Sequence, residues 1–219
     1  MKILYEDKDL IVVIKAAGIS SQASSDFSED MVSLLKKHFM EAGAEADPYV
    51  GVVHRLDTMT AGIMVYAKNK ETAAALSRDV SEGRMKKLYH AILCGVPKDS
   101  RGKLVDYLAK DEKENISRVV REKDKGAKRA ELDYKVIEKR YVRGRQLSKV
   151  EIDLITGRHH QIRAQFASRG MPVMGDIKYG AGADDGGLAL AAVYLSFIHP
   201  KTKKALSFKE LELCRELEH

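Results

Sequence analysis

The 219-residue sequence has no tryptophan, only four prolines and only two cysteines. Cys94 and Cys214 lie far apart and have no partners at metal-ligand spacing. This cysteine usage excludes a disulfide-stabilised scaffold and predicts free thiols in a reducing compartment. Hydrophobic residues make up 44% of the chain and charged residues 32%. This composition excludes a disordered or collagen-like chain and is typical of a globular protein.

Long apolar runs are missing as well. The longest nearly apolar stretch covers residues 188–198 and is interrupted by Tyr194 and Ser196, whereas a bilayer span needs about 20 apolar residues. The N-terminus reaches Glu6 and Asp7 before a signal-type apolar core can form. We therefore expect a cytoplasmic protein without a membrane partner.

The net charge of +6 is unevenly distributed. Residues 84–149 contain 20 Lys or Arg against 10 Asp or Glu, a net charge of +10, and the remaining chain is left with −4. A concentrated basic zone attracts polyanions, of which nucleic acid is the commonest in cytoplasm. A solvated lysine-rich surface explains the same charge equally well, so charge alone leaves both interpretations open.

Hydrophobic periodicity predicts many strands and few helices. Strand patterns cover residues 3–5, 10–14, 50–56, 62–68, 87–94, 116–121, 130–139, 146–155, 188–198 and 205–211; helical patterns cover 28–43, 69–83 and 156–168; loops cover 20–28 and 180–187. Short turns between successive strands favour antiparallel pairing. We expect an α+β fold with a mixed, largely antiparallel sheet flanked by a few helices. One domain is expected over residues 1–216, with 217–219 a remnant of a cloned tag.

The segment His54-Arg55-Leu56-Asp57 ends an apolar strand pattern and precedes a glycine turn. A carboxylate flanked by cations is held ionised and is available as a nucleophile or base. Alternatively, Asp57 caps a turn through its own backbone. The segment alone leaves both roles open.

A second polar segment covers residues 156–166. If it is helical, Ile162 and Phe166 form one stripe and Arg163 lies at its border. A half-buried guanidinium needs a carboxylate, because an unpaired one costs about 3 to 5 kcal/mol. One hypothesis is that the helix brings Arg163 to Asp57. The alternative is a basic helix face that contacts solvent or phosphate, a role also open to Arg158.

A third segment, residues 86–93, is a strand pattern in which Lys87 and Tyr89 share one face with Ala91 and Leu93. Tyr89 is suited to stacking on a base or exchanging a proton. Alternatively, it packs in the strand with its hydroxyl in water.

Sites for metals and cofactors are not indicated. His159 and His160 are adjacent, so on a helix they diverge by about 100° and do not form a zinc pair. The glycine-rich segment 180–187 does not connect a strand to a helix, and its two acidic residues would repel phosphate. We expect no cofactor and no metal.

Taken together, residues 54–62, 87–91, 154–180 and 195–200 resemble, in order, the aspartate motif, the tyrosine motif, the arginine motif and the closing strand of the RluA-like family of RNA pseudouridine synthases. The resemblance extends from about residue 5 to about residue 208. Two positions depart from the family pattern: Ala61 replaces the usual serine, and the proline common after Lys15 is absent. Neither position belongs to the expected chemistry.

The resemblance implies an isomerase that converts uridine of RNA to pseudouridine without a cofactor. Asp57 is then the nucleophile, attacking either the sugar or the base. Tyr89 is expected to stack on the uracil and to take the C5 proton. Arg163 is expected to pair with Asp57, to orient it and keep it ionised.

The resemblance also implies base flipping, because a uracil inside a helix is unreachable. Arg55 matches the position that fills the gap left by the flipped base, and His54, Lys87 and Arg158 are expected to contact RNA. Large-subunit ribosomal RNA and transfer RNA are the candidate substrates, and a monomer is the default. Two other classes are a noncatalytic RNA-binding module and a metal-assisted nucleic-acid hydrolase, although the hydrolase's ligand cluster is missing from the sequence.

Overall fold

The computed structural model describes residues 1–22, 29–44, 46–142, 144–182 and 187–214. The strands of this described part are β1 (Lys2–Glu6), β2 (Leu10–Lys15), β3 (Gly51–Val52), β4 (Ala61–Ala67), β5 (Lys86–Cys94), β6 (Arg101–Asp111), β7 (Ile116–Val120), β8 (Lys128–Val142), β9 (Arg145–Leu154), β10 (Leu190–Ile198) and β11 (Ala205–Lys209). The helices are α1 (Met31–Glu41), α2 (Lys70–Ser81) and α3 (Gln161–Ala167), with short 3-10 helices at Ile177–Tyr179 and Leu211–Leu213. No helix in these described ranges is long and apolar enough to cross a membrane.

The chain divides into two compact units. The first consists of Met1–Lys87 and Ala192–Leu213, and the second of Leu88–Ala191 with Cys214. A single domain over residues 1–216 stays a prediction.

In the first unit the strands follow the order β1-β2-β4-β10, with β3 beside β4 and β11 beside β10. Strand β2 is antiparallel to both β1 and β4, and its register places Val12 opposite Val65 and Ile14 opposite Ile63. Val12, Ile63 and Val65 belong to one core, which Leu76 of α2 covers. Because β2 lies between two strands and is buried on both faces, its sequence is an almost continuous run of β-branched residues.

The second unit is a fully antiparallel sheet in the order β5-β9-β8-β6-β7. A bulge interrupts the β8–β9 register between Val136 and Glu138. Helix α3 packs on one face of this sheet, where Phe166 meets the ring of Tyr134 edge-on. Ala164 of the same helix packs against Leu108 and Ala130.

The expected α+β class with a largely antiparallel sheet is confirmed, but two strand predictions were wrong. Strand β6, Arg101–Asp111, was predicted as a turn region because five of its eleven residues are basic or acidic, and only two of the eleven are buried. The strand predicted over 50–56 is only the two-residue β3. Beyond Val52 the chain leaves the sheet to form the irregular segment 53–60.

The helix predictions need two corrections. The pattern over 156–168 forms a helix only from Gln161 to Ala167, and residue His160 before it has a left-handed backbone with φ 50°. Helix α1 begins at Met31 rather than 28, because the side chain of Asp30 accepts hydrogen bonds from the N–H groups of Val32 and Ser33 and so caps the helix. Parts of the two predicted loops, 23–28 and 183–186, and the tag remnant 217–219 lie outside the described residues.

Candidate active site

Asp57 lies in the turn that connects the irregular segment 53–60 to β4. The N–H of Thr60 donates to the carbonyl of Asp57 at 2.9 Å, which closes the turn. Asp57 is half-buried, and Arg55 two residues earlier is exposed. The turn is held close to the sheet by Gly62, because a Cβ at this position would lie 2.5 Å from the Cβ of Ala192.

Lys15, the last residue of β2, forms hydrogen bonds that stabilise the same turn. Its side chain is inaccessible to solvent, and its Nζ donates to three backbone carbonyls: Ala16 at 3.0 Å, Ile19 at 2.7 Å and Thr58 at 2.9 Å. Burial lowers the pKa of Lys15 to about 8, and the negative charge of Asp57 opposes that shift. The first unit therefore places a buried cation next to the carboxylate of Asp57.

His54 is buried, and its Nε2 accepts a hydrogen bond from the N–H of Val65 at 3.2 Å. A neutral imidazole that accepts at Nε2 carries its proton on Nδ1. Burial lowers the pKa of His54 to about 3, and the positive charge of Lys87 adds to this shift. The imidazole is therefore uncharged at neutral pH and supports β4. Its contact with RNA stays a prediction.

Lys87 and Tyr89 occupy alternate positions of β5, as the sequence pattern predicts. Lys87 is half-buried, and burial lowers its pKa. Tyr89 is only 6% exposed and lies opposite Ile152 of β9. The strand predicted over residues 87–94 is confirmed, whereas the stacking and proton transfer expected of Tyr89 stay predictions.

Arg163 is fully enclosed in the second unit rather than half-buried. Its Nε and Nη2 donate to the two carboxylate oxygens of Asp176 at 2.7 and 2.8 Å, and its guanidinium lies over the ring of Tyr179 at 5.1 Å. Asp176 reaches this position because Gly175 has φ 76°, where a Cβ would lie only 2.0 Å from the carbonyl oxygen of Gly187. The expected carboxylate partner is thus present as Asp176, and a pair with Asp57 stays a prediction.

A polar network fixes the segment that precedes α3. The Tyr179 hydroxyl donates to the carbonyl of Ser117 at 3.0 Å, accepts from the N–H of Ser117 at 2.7 Å and contacts Nδ1 of His160 at 3.2 Å. The rings of His159 and His160 stack at 3.8 Å. Burial, with the charge of Arg163 next in size, lowers the pKa of His160 to about 3. This network attaches β7 to the site arginine.

Arg158 is exposed and lies before the helix, not on it. Its Nε donates to the carbonyl of Arg129 at 2.9 Å, and its own N–H donates to the side-chain oxygen of Gln161. The guanidinium is thereby held at the surface beside β8. This placement is compatible with the predicted phosphate contact.

Within the part of the chain that the structure describes, one group of side chains has metal-ligand spacing: Asp7, Asp9 and His199. The atoms of this group are already engaged. His199 accepts two backbone N–H groups at Nδ1, which leaves the proton on Nε2 to donate to Asp7 at 2.8 Å. Asp9 accepts from the amide of Asn69. We infer that this cluster connects two turns of the first unit.

Sequence reasoning missed Lys15 and gave Asp176 no role. A signal was present for each: a lysine ends the otherwise apolar run of β2, and a buried arginine needs a carboxylate. Of the predicted site residues, the first unit contains His54, Arg55, Asp57 and Lys87, and the second contains Tyr89, Arg158 and Arg163.

The fold and the ordered motifs define a class of protein, and comparison with known families agrees. A family model described as RNA pseudouridylate synthase matches residues 9–168, which include Asp57, Tyr89 and Arg163. This chain belongs to the RNA pseudouridylate synthase family, and the resemblance inferred from the motifs is confirmed.

Relatives within the family include an uncharacterized RNA pseudouridine synthase of Aquifex aeolicus, which is 36% identical over 184 residues that cover 82% of this chain and 56% of the relative. Ribosomal large subunit pseudouridine synthase D of Neisseria meningitidis serogroup B is 33% identical over 224 residues, covering 95% of this chain and 57% of the relative. The chain thus spans little more than half the length of these two relatives.

Solved structures of human proteins share the fold. RNA Pseudouridylate Synthase Domain Containing 1 superposes with a TM-score of 0.74 at 26% identity, over 95% of this chain and 82% of that chain. RNA Pseudouridylate Synthase Domain Containing 4 superposes with a TM-score of 0.77 at 24% identity, over 95% and 87% of the two chains. The second comparison supports the fold alone.

Proposed function

We propose that this protein isomerises specific uridines of large-subunit ribosomal RNA or transfer RNA to pseudouridine. The observation that carries the proposal is the family match over residues 9–168, because that range contains all three residues expected to perform the chemistry. A relative named as a ribosomal large subunit pseudouridine synthase supports the ribosomal substrate.

In the proposed reaction the bond between N1 of uracil and C1′ of ribose breaks, the uracil rotates, and C5 bonds to C1′. The C5 proton leaves and N1 gains a proton, so the reaction needs no oxidant and no energy source. Asp57 acts as the nucleophile on the sugar or the base, and the buried Lys15 side chain bonds to the carbonyl of Thr58 beside it. Tyr89 stacks on the uracil and accepts the C5 proton. Arg163 orients the aspartate.

RNA binding is assigned to a set of basic side chains, some exposed and some half-buried. Arg55 is exposed two residues before Asp57, and its planar guanidinium is suited to stacking on bases in the gap left by the flipped uridine. Arg158 and Lys87 contact phosphates, and His54 supports that surface from within. The net charge of +10 over residues 84–149 attracts the RNA backbone.

The test is tritium release from RNA labelled at C5 of uridine. Wild type and Asp57→Asn are incubated with total ribosomal RNA and with bulk transfer RNA, with chelator present. We expect release by wild type only, and we expect Asp57→Asn to bind RNA as wild type does, because the substitution removes only a negative charge.

Three outcomes contradict the proposal. Turnover by Asp57→Asn removes the aspartate from its assigned role, and no release from either RNA by wild type favours a noncatalytic RNA-binding module. Activity lost to chelator supports a metal-assisted enzyme instead.

We further propose a cytoplasmic monomer without a cofactor. The small number of cysteines, two in 219 residues and far apart in the sequence, supports a reducing compartment. Light scattering on the purified chain measures its mass, and a dimer would contradict this proposal.

A further inference from the structure

The turn between β8 and β9 carries an aromatic side chain that is exposed rather than buried in the core. We name residues 139–146 the hairpin tip. Tyr141 is 73% exposed, more than any other large hydrophobic residue that the structure describes. Tyrosine combines a large apolar face with a polar hydroxyl, and such residues are enriched where proteins bind other molecules.

The strand register places a set of polar neighbours on the same face as this ring. Tyr141 lies opposite Gln146, and Lys139 lies opposite Ser148. Because alternate strand residues share a face, Lys139, Tyr141 and Gln146 all project to one side, and all three are exposed. They line a cleft of about 330 Å³ together with Val96 and Arg140, which is at the lower end of the range for small-ligand sites.

The charge around this cleft selects an anionic partner. Residues 135–149 contain six basic side chains and one acidic one. The acidic residue, Glu138, pairs with Arg140 and is not among the residues that line the cleft. The Lys139 ammonium forms no ion pair with any described residue, so its charge is available on the side where the tyrosine ring is exposed.

We propose that the hairpin tip binds a single-stranded segment of the RNA substrate. Tyr141 stacks on an unpaired base, Lys139 contacts a neighbouring phosphate, and the Gln146 amide bonds a base edge. Exposed aromatic rings beside basic side chains are the usual means of binding single strands. Gln146 and Ile152, the β9 residue opposite Tyr89, are six residues apart, about 20 Å along a strand. The contact therefore lies outside the catalytic residues and rests on the proposed function.

The experiment measures binding of a fluorescein-labelled, mixed-sequence single-stranded RNA of about 20 nucleotides, longer than the site of one single-strand binding module. The full chain is titrated by fluorescence anisotropy at several salt concentrations. We expect Tyr141→Ala to weaken binding by roughly 5- to 150-fold, because one stacked base is lost. Tyr141→Phe keeps the ring and is expected to bind as wild type does. Lys139→Ala is expected to reduce the log-log salt slope by about 0.7.

Tyr49→Ala is the matched control, since Tyr49 is also an exposed tyrosine but lies in the first unit. Its affinity is expected to equal that of wild type. Equal affinity of wild type and Tyr141→Ala overturns the proposal, as does an equal loss in Tyr141→Phe. Loss of a dimer in Tyr141→Ala with unchanged RNA affinity would assign the hairpin tip to a second copy of the chain and also overturn it.

Tritium release from the same variants separates this proposal from the proposed function. If wild type is active and Tyr141→Ala binds RNA and releases tritium as wild type does, only the proposal about the hairpin tip is refuted. If wild type is inactive but its RNA affinity still depends on Tyr141, only the proposed synthase function is refuted.

Discussion

At the residue scale, Arg163 and Asp176 form a buried ion pair that the fold requires, because burial keeps both charges from water. The side chains of Arg163 and Asp176 are 7% and 0% exposed, so neither can exchange its partner for water. The need for a carboxylate follows from the position of Arg163 on a helix border. The sequence does not predict which carboxylate this is, because the position of Asp176 depends on the close approach of Gly175 to Gly187.

This pair predicts a large loss of stability in Arg163→Ala. The substitution leaves the Asp176 carboxylate buried without its bidentate donor, so the free energy of unfolding is expected to fall by about 3 to 5 kcal/mol. Urea denaturation measures the change.

The control is Arg169→Ala, because Arg169 also pairs with an aspartate, Asp106, but is 31% exposed. Its loss is expected to be about 0.2 to 1 kcal/mol, as for other surface pairs. Equal losses in the two variants would contradict the burial argument.

At the element scale, the strands with an apolar pattern were predictable, whereas strand β6 and the start of helix α3 were not. The run of β-branched residues in β2 and the alternation of polar and apolar residues in β5 predict strands directly. Strand β6 exposes many charged residues and has no such mark. The segment 156–160 has helical composition, but the left-handed backbone of His160 and the Gln161 side chain, which bonds Thr156 and the Arg158 N–H, hold it as a loop.

The approach of β4 to β10 predicts that Gly62→Ala damages both stability and turnover. The added Cβ would lie 2.5 Å from the Ala192 Cβ and 2.8 Å from its backbone nitrogen, so the strands must separate. We expect the free energy of unfolding to fall by about 1 to 3 kcal/mol. The value of kcat is expected to fall more than KM rises, because Asp57 lies just before β4.

Denaturation and tritium release measure the two effects. Ala192→Gly in the same chain removes one of the two contacts and is expected to restore part of the stability. Wild-type stability in Gly62→Ala would show that the strands do not approach as closely as described.

At the scale of the whole molecule, the order of the motifs was predictable because each motif is local in sequence. Asp57, Tyr89 and Arg163 were predicted as site residues in that way, and the family match covers all three positions. Lys15 contributes to the Asp57 turn through backbone carbonyls, so it belongs to none of the motifs, and its only sequence signal is its place at the end of the apolar run of β2.

Two buried neutral histidines predict how stability changes with acid. His54 and His160 have native pKa values of about 3, whereas an unfolded histidine has a pKa of about 6.5. Between these values the unfolded chain binds more protons, so the free energy of unfolding falls as the pH is lowered. At pH 5 the loss is about 2 kcal/mol for each histidine.

Urea denaturation at pH 7, 6 and 5 measures the loss, a range that lies above the ordinary carboxylate pKa values of about 4. His160→Asn is the test variant, because asparagine tolerates the left-handed backbone and does not titrate. We expect its loss between pH 7 and 5 to be about 2 kcal/mol smaller than that of wild type. An identical pH dependence would show that His160 is not held neutral.

The buried position of Lys15 has a chemical consequence. With a pKa of about 8, a sizeable fraction of this side chain is the neutral amine at pH 8, the form that reacts with acylating reagents. Its complete burial prevents that reaction while the Asp57 turn is closed. The rate at which Lys15 is acylated, followed by mass spectrometry of its peptide, therefore reports how often the turn opens, and bound RNA is expected to slow it.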